Sequence, residues 1–283
     1  IKVAPGSESA AVTSLELTAK SIILIGERAS ETVGLLSTVV SVAEKTGAKI
    51  AWIPRRAGER GALEAGAIGN LLPGGRPISD AAARVDVAAA WSIDSLPNTI
   101  GLDGAGILAN AANGAIEALV VGGVDPFDMH APEIAGLDKA FVLSLEMRPS
   151  AITERADVVL PIATVVEKSG SFMSWEGRVR AFEQSVPETP HHSDLYVLAL
   201  VAEALGTPLG FSSVKGAAKE FGTLAKWDGA REGFTATSTS ATASSTVLAT
   251  WRQLLDNGTL QINEPNLAGT ARTAVARIGA ALA

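Results

Sequence analysis

The sequence predicts an α/β protein whose strands form parallel, doubly wound, Rossmann-like sheets. Short apolar runs of strand length recur along the 283 residues, with helical patterns between them. The runs do not alternate polar and apolar residues, which is typical of strands buried on both faces of a parallel sheet. Apolar residues make up 47% of the chain, and a chain of this length can bury a core.

Residues 21–53 form the first predicted unit, which consists of a strand, a helix and a second strand. The strands are "SIILIGE" and "KIAWIP". Ser30 is placed to cap the helix and Gly47 to end it. The helical stripe consists of Val33, Leu36, Val40 and Ala43, widened by Leu35, Val39 and Val42. Because this is the size of a βαβ crossover, we expect two parallel strands.

A glycine-rich stretch follows at residues 55–80, "RRAGERGALEAGAIGNLLPGGRPISD". We expect it to be irregular, and it is too long for an ordinary connection, which indicates a function or a packing partner. A charged cluster stands at its start and consists of Arg55, Arg56, Glu59 and Arg60. Such a cluster could hold an anion or meet an acidic surface of a neighbouring domain. The alternative is a solvated charge cluster.

A second α/β unit is predicted from residue 104. It begins with the helix "GAGILANAANGAI" and the strands "ALVVGGVDP" and "AFVLSLE". The short helix "PSAITERA", capped by Ser150, then leads to the strand "DVVLP". The helix "HSDLYVLALVAEALG" closes the unit, with Ser193 at its cap and Asp194 in its first turn. We expect a parallel sheet covered on both faces.

The pattern divides the chain into four parts. Residues 1–103 are the first unit with its Gly/Arg-rich loop, and residues 104–210 are the second unit. Residues 211–246 are predicted to be a poorly ordered linker that ends in the Ser/Thr/Ala tract "TATSTSATASST". Residues 247–283 are a small C-terminal tail with one amphipathic helix built on Val247, Trp251, Leu254 and Leu255.

Composition excludes several functional classes. The net charge of −7 argues against a nucleic-acid or anionic-membrane partner, and no apolar run approaches the roughly 18 residues of a membrane span. The chain has no cysteine, so disulfides, zinc–thiolate sites and iron–sulfur ligands are excluded. A histidine metal site is not expected from His130, His191 and His192, of which the last two are interpreted as a solvated pair before a helix. The N-terminus lacks methionine and a signal pattern, and we interpret the chain as a piece of a longer protein.

The common catalytic motifs are missing. The stretch "GERASE" after the first strand has one glycine where a dinucleotide fingerprint needs about three. The sequence contains neither a Walker loop nor a GxSxG elbow, and its three histidines are poorly placed for a Ser–His–Asp triad. We therefore predict no hydrolase chemistry, no catalytic residue and no metal ligand in this chain; the alternative left open is a hard cation bound by carboxylates.

One group of residues could still contact a ligand. Two glycines could let a backbone approach closely, and the acids could accept hydrogen bonds from a ribose or a base; the candidates are Gly122, Gly123, Asp125, Asp157 and Glu167. The loop after "DVVLP" adds Lys168, Glu176, Arg178 and Arg180, with tight turns at Gly170 and Gly177. The alternative is that these charges pair with one another while Phe172, Trp175 and Phe182 cover the sheet.

The stretch "ERADVVLPIATVVEKSGSFMSWEGRVRAFE" resembles the molybdopterin oxidoreductases, in which "ADVVLP" is followed by "E…G.F.N.EGR.Q" beside the guanine dinucleotide of the cofactor. Within that family the chain resembles the branch of the large iron–sulfur subunit of bacterial NADH-quinone oxidoreductase, respiratory complex I. Two further stretches, "AWIPRRAGERGALEAGAIGNLLPGGRP" and "ATWRQLLDNGTLQINEPNLAGTARTAVAR", resemble the actinobacterial form. The resemblance extends from about residue 20 to residue 278.

The resemblance implies sheets of the molybdopterin oxidoreductase type and a role in an enzyme that passes electrons from NADH through FMN and iron–sulfur clusters to quinone. The [2Fe–2S] and [4Fe–4S] clusters are expected on an amino-terminal part that is absent here, so this carboxy-terminal segment is expected to hold no cofactor. It would then be a structural scaffold of the peripheral arm at the cytoplasmic face of the cell membrane, with other peripheral-arm subunits as partners and without direct membrane insertion.

Two departures from the pattern of the active enzymes favour the scaffold interpretation. Asp125 stands where their cofactor loop commonly has asparagine, and Met173–Ser174 replace the usual residues before Trp175. The five candidate residues are therefore expected to be vestigial. Two alternatives remain open: a domain that still binds a molybdopterin or nucleotide, and a standalone interaction module.

Overall fold

The computed structural model describes residues 3–4, 6–54, 57–125, 134–224, 226–232 and 261–270. The α-helices are α1 Glu8–Thr13, α2 Leu35–Thr46, α3 Glu59–Glu64, α4 Ala81–Trp91, α5 Gly104–Asn113, α6 Asp194–Ala204, α7 Val214–Thr223 and α8 Pro265–Ala268. The strands are β1 Ile22–Gly26, β2 Lys49–Ile53, β3 Leu71–Leu72, β4 Arg76–Pro77, β5 Ala118–Gly122, β6 Phe141–Glu146, β7 Val158–Pro161, β8 Gly170–Met173 and β9 Val179–Phe182. Short 3₁₀ turns lie at Glu27–Glu31, Ile134–Lys139 and Val165–Glu167.

Strands β1 and β2 are parallel, as predicted, and α2 connects them. The start of the helix differs from the prediction. Gly34 is the N-cap, in a left-handed conformation with φ 74°, and Ser30 instead donates a hydrogen bond to the carbonyl of Glu27 within a 3₁₀ turn. This late start leaves Val33 outside the helix and exposed. The buried stripe of α2 consists of Leu35, Val39, Val42 and Ala43.

Strands β5, β6 and β7 form a second parallel sheet, as predicted, and the structure gives their order as β5–β6–β7. On one face, Val142 packs with Leu137 and with Ala111 of α5. On the other, Leu145 packs with Val197 of α6. Helices therefore lie on both faces of this sheet, which is the doubly wound arrangement. No helix among the described residues is both long enough and apolar enough to cross a bilayer.

The segment between β6 and β7 does not form the predicted helix. Residues 151–155 are a turn, in which Ser150 and Thr153 bond to each other through both backbone and side chains. Such local bonds of Ser and Thr compete with helical ones. The buried side chain of Ile152 packs the turn against the sheet. The residues predicted to form a helix therefore form a single turn.

Residues 57–80 are more regular than the sequence suggests. They contain α3 and the antiparallel pair β3–β4. Gly66 has φ +75°, and a Cβ built there would lie 2.5 Å from the backbone carbonyl carbon of Leu72. Only glycine fits this close approach of two backbones. Arg55 and Arg56 lie outside the described residues.

The predicted linker, residues 211–246, contains regular structure at its start. Helix α7 lies within it, and residues 226–232 pack against the β3–β4 hairpin. The ring of Trp227 lies 5.4 Å from the guanidinium carbon of Arg76, and Arg231 donates to two carbonyls of the hairpin turn at 3.1 Å. The Ser/Thr/Ala tract at 235–246 and the helix predicted on Val247, Trp251, Leu254 and Leu255 lie outside the described residues.

Candidate functional site

The candidate site is the edge of the second sheet at which β5, β6 and β7 end. Parallel strands place their carboxyl ends together, so Gly122, Glu146 and Pro161 mark this edge. Gly123 follows β5 with φ +63°, and its N–H donates to the carbonyl of Leu145 at 3.3 Å. A Cβ built on Gly123 would meet no atom within 4 Å, whereas one on Gly122 would lie 3.5 Å from Cβ of Leu145. Open space for a ligand at this edge is therefore found at Gly123 and not at Gly122.

Asp125 is half-buried and follows the two glycines along the chain. The structure therefore places three of the five candidates, Gly122, Gly123 and Asp125, on one short segment. His130 lies outside the described residues.

Asp157 lies at the opposite edge of the sheet, where β7 begins. Its Oδ2 accepts a hydrogen bond from the N–H of Val142 at 2.7 Å, and its own N–H donates to the carbonyl of Val142 at 2.9 Å. The side chain thus completes the hydrogen-bond ladder between β6 and β7. The structure does not bring Asp157 together with the other candidates.

Glu167 lies in the loop after β7 and is held by four hydrogen bonds. Its Oε2 accepts from the backbone N–H and the hydroxyl of Thr164 at 2.9 and 3.1 Å. Its Oε1 accepts from the hydroxyl of Thr189 at 2.7 Å and lies 3.1 Å from Nδ1 of His191. Because the side chain is only 15% exposed, these donors take the place of most of its hydrating water. The carboxylate thus links residues 189–191 to the loop after β7.

The same donors lower the pKa of Glu167. The backbone N–H of Thr164, followed by the hydroxyl of Thr189 and by His191, lowers this pKa from 4.5 to about 2. Hydrogen bonds to a carboxylate favour its charged form. Glu167 is therefore ionised at neutral pH and committed to neighbours within the chain.

Three partners of Glu167 were not predicted from the sequence: Thr164, Thr189 and His191. One signal was present: "TVVE" at 164–167 has the spacing of a capping box, and the structure forms that box. Thr189 and His191 had no such signal, because they lie 22 and 24 residues from Glu167 along the chain.

A polar cavity of about 340 Å³ adjoins Glu167. Its walls include Lys168, Gln184, His192 and Tyr196. Lys168 forms a salt bridge with Asp194 in the first turn of α6, and the ring of His192 lies 4.7 Å from that of Tyr196. The charges of Glu167 and Lys168 at this cavity are thus paired within the chain.

The hairpin β8–β9 carries the rest of the predicted loop residues. Arg178 pairs with Glu176 at 3.3 Å, and the rings of Phe172 and Phe182 stack with their centroids 5.2 Å apart. The Arg178–Glu176 pair agrees with the alternative in which the loop charges pair with each other, whereas Phe172 is 43% exposed and is not buried against the sheet. Three further residues of the hairpin are exposed: Trp175, Val179 and Arg180.

The charged cluster predicted at residues 55–60 is described only in part. Arg60 forms a salt bridge with Glu64 of the same helix, α3. This pair is partly exposed, and such pairs contribute little to stability. Among the described residues, no cluster of three or more His, Asp or Glu side chains is arranged to hold a metal ion.

Two open parallel sheets, with glycines and polar loops at the carboxyl edge, define the class of doubly wound α/β proteins. A family model described as molybdopterin oxidoreductase matches residues 8–193. This is more than half of the chain, so the chain belongs to the molybdopterin oxidoreductase family.

Similarity to individual proteins indicates a narrower group within this family. The chain is 47% identical over 296 aligned residues to the G subunit of NADH-quinone oxidoreductase from Mycobacterium bovis, covering 98% of this chain and 37% of the relative. It is 46% identical over 274 residues to the G subunit from Streptomyces coelicolor, covering 93% and 32%. Formate dehydrogenase H of Escherichia coli is 28% identical over 55% of the chain and 22% of its own length. The chain thus spans about a third of the length of these two G subunits.

Proposed function

We propose that this chain is the carboxy-terminal, cluster-free part of a G subunit of NADH-quinone oxidoreductase and acts there as a structural scaffold. The similarity to two actinobacterial G subunits over nearly the whole chain supports this assignment. In the complete enzyme, electrons pass from NADH through FMN and iron–sulfur clusters to quinone. The clusters belong to another part of the polypeptide, because a chain without cysteine supplies no thiolate for iron.

The observation that carries the scaffold role is the commitment of two candidate acids to the fold. Both oxygens of Glu167 are bonded to Thr164, Thr189 and His191. Asp157 accepts from the N–H of Val142 through Oδ2, at the opposite end of the sheet from the carboxyl edge. A residue that binds a ligand needs donors or acceptors left for it. Both acids instead use their side chains to join segments of the chain.

The same reasoning tests the fit of a pterin guanine dinucleotide. Such a group presents phosphates and a base, which need cationic groups and free acceptors. After β7, Lys168 is paired with Asp194 and Arg178 with Glu176. Arg148, just after β6, and Arg180 form no salt bridge with another described residue. Lys168 and Glu167 are thus engaged within the chain, which supports a scaffold over a binder of this group, and we assign no step to it.

The scaffold proposal implies a location and partners. The chain would lie in the peripheral arm at the cytoplasmic face of the bacterial membrane, in contact with other peripheral-arm subunits and without inserting into the bilayer. The acidic net charge of −7 favours protein partners over nucleic acid.

A tagged copy of the protein, purified from gently solubilised membranes, tests this proposal. We expect the other peripheral-arm subunits to co-purify in stoichiometric amounts, together with NADH oxidation by the complex. A tagged unrelated protein of similar size and charge is the control. Recovery of the chain without any peripheral-arm subunit would contradict the scaffold role.

One observation favours the alternative of a nucleotide or pterin binder. Gly123 is exposed at the carboxyl edge with open space beside its Cα, and a cavity of about 340 Å³ lies beside Glu167. Native mass spectrometry and an absorbance spectrum of the anaerobically purified chain decide between the two functions. A co-purifying guanine nucleotide or pterin would replace the scaffold proposal, and a mass equal to that of the polypeptide would support it.

A further inference from the structure

A groove runs along one side of helix α4. The helix lines it with small apolar side chains, which are Ala81, Val85, Ala88 and Ala89. The other wall is formed by residues 93–96, of which Ile93 and Leu96 are apolar. The volume enclosed is about 510 Å³. We call this surface the α4 groove.

The α4 groove is apolar and exposed. Val85 on the helix is 67% exposed, and Ile93 on the other wall is 44% exposed. Exposed apolar side chains that share one surface mark an interaction site. Apolar grooves bind the apolar face of an amphipathic helix, which is anchored by side chains about one turn apart. The α4 groove therefore fits a helix.

One segment of this chain has the spacing that the α4 groove requires. The groove residues of the helix stand at positions i, i+4, i+7 and i+8. The amphipathic helix predicted near the C-terminus has its apolar residues at the same four positions, which are Val247, Trp251, Leu254 and Leu255. Both sets span about 12 Å along a helix axis. Large side chains of one helix would then face small ones of the other, as close helix packing requires.

The path of the chain brings this segment to the α4 groove. The hydroxyl of Ser79 donates to Oε2 of Glu232 at 3.5 Å, and Ser79 precedes Asp80, the N-cap of α4. From Glu232, residues 233–246 reach up to roughly 50 Å when extended. Helix α4 has 11 residues and is therefore about 16 Å long. Every position along the groove lies within that reach.

We propose that residues 247–255 bind the α4 groove as a helix, with Trp251 and its apolar neighbours over the small side chains of α4. The connection through residues 233–246 favours this segment over a second copy or a partner, because a short connection holds its segment at an effective concentration on the order of millimolar. The contact joins the C-terminal tail to the first α/β unit. It does not depend on the scaffold role.

Cysteine labelling tests the proposal, because the chain has no cysteine of its own. Val85→Cys reports on the α4 groove. Ser41→Cys, at an exposed position of α2, is the reference for an open site. Maleimide labelling of each variant is followed by peptide mass spectrometry. We expect Val85→Cys to label at least about tenfold more slowly than Ser41→Cys, because it reacts only when the segment leaves the groove.

A second substitution identifies the segment that covers Val85→Cys. Trp251→Glu places a charge on the apolar face of the predicted helix, and it should make Val85→Cys label at least about tenfold faster. Leu254→Glu should act in the same way. The matched control is Gln253→Glu, which places the same charge on the opposite side of that helix and should leave the rate unchanged. A synthetic peptide of residues 245–258, at about 1 mM, should restore slow labelling to the Trp251→Glu variant.

Circular dichroism confirms that each variant folds. Val85→Cys that labels as fast as Ser41→Cys would overturn the inference. Slow labelling that neither Trp251→Glu nor Leu254→Glu accelerates would also overturn it. Loss of that protection on dilution would identify a second copy as the occupant, and its persistence would identify another segment of the chain. Equal acceleration by Trp251→Glu and Gln253→Glu would refute the assignment of the apolar face.

Discussion

Replacing Asp157 by alanine removes the side-chain acceptor that closes the ladder between β6 and β7. The N–H of Val142, which donates to this carboxylate at 2.7 Å, then loses its partner, and Val142 is fully buried. A hydrogen bond to a charged group contributes roughly 1.5–3 kcal/mol. Because Asp157 itself is exposed, water can replace part of the lost bond.

We therefore expect Asp157→Ala to lower the free energy of unfolding by about 1–2 kcal/mol. For a protein of this size, that corresponds to a fall in melting temperature of roughly 2–8 °C. Asp157→Asn keeps an oxygen acceptor without the charge, so its loss should be at most about half as large. Differential scanning calorimetry of the purified chain at neutral pH measures both.

The control for charge removal is Glu154→Ala, an exposed acid on the preceding turn; we expect it to leave the melting temperature unchanged. An unchanged melting temperature for Asp157→Ala, or equal losses for the alanine and asparagine variants, would refute the ladder argument. A ligand-binding role for Asp157 would instead show as a stability effect that appears only when the ligand is added.

Three further predictions concern the loop and the C-terminal contact. Folding lowers the pKa of Glu167 from 4.5 to about 2, so the ionised carboxylate stabilises the wild type above pH 4.5 and this stabilisation is lost as the pH falls toward 2. Glu167→Gln should lack it. The difference in melting temperature between wild type and Glu167→Gln should therefore narrow from pH 4.5 to pH 2. Gly170→Val should cost about 1–3 kcal/mol of stability, because its Cβ would lie 2.7 Å from the ring of Phe182. Trp227→Ala should cost roughly 3 kcal/mol, because the indole is 9% exposed and covers buried Arg76.

Each of these three predictions has a control and a contradicting result. Glu188→Gln, at an exposed acid, is the control for Glu167→Gln. A melting-temperature difference between wild type and Glu167→Gln that does not change with pH would contradict the prediction for Glu167. Gly222→Val meets no atom within 4 Å of its Cβ, so a loss equal to that of Gly170→Val would count against the Phe182 contact as the cause. Trp91→Ala, at a 41% exposed indole, should cost less than Trp227→Ala, and the reverse order would contradict the packing argument.

Local chemistry predicted the parts of the fold that depend on neighbouring residues. The βαβ pattern around α2, the strands β5, β6 and β7, and the Ser193 cap of α6 all follow from spacing within about a dozen residues, and the structure contains them. The helix predicted at 149–156 was wrong because Ser150 and Thr153 satisfy each other in a turn. Propensity alone does not reveal that competition.

The candidate site was likewise predicted only in part from the sequence. The sequence identified Gly122, Gly123 and Asp125 as one segment after a strand, and the structure places the two glycines at the carboxyl edge. Asp157 was predicted as a further hydrogen-bond acceptor although it stands just before its strand, and the parallel pairing of β7 with β6 places it at the other end of the sheet. Which strands pair, and in which direction, decides which residues share an edge of the sheet, and that pairing is seen only in the structure.

The sequence by itself determined the class of fold, the absence of thiolate ligands and the family resemblance, because these depend on residue types and short spacings. Tertiary structure alone decided which polar groups are committed to partners within the chain. Thr189 and His191 reach Glu167 across more than 20 residues, and Arg231 reaches the turn at Gly74 across 157. Contacts of that separation follow from the closure of the whole chain around its sheets, which no local pattern records.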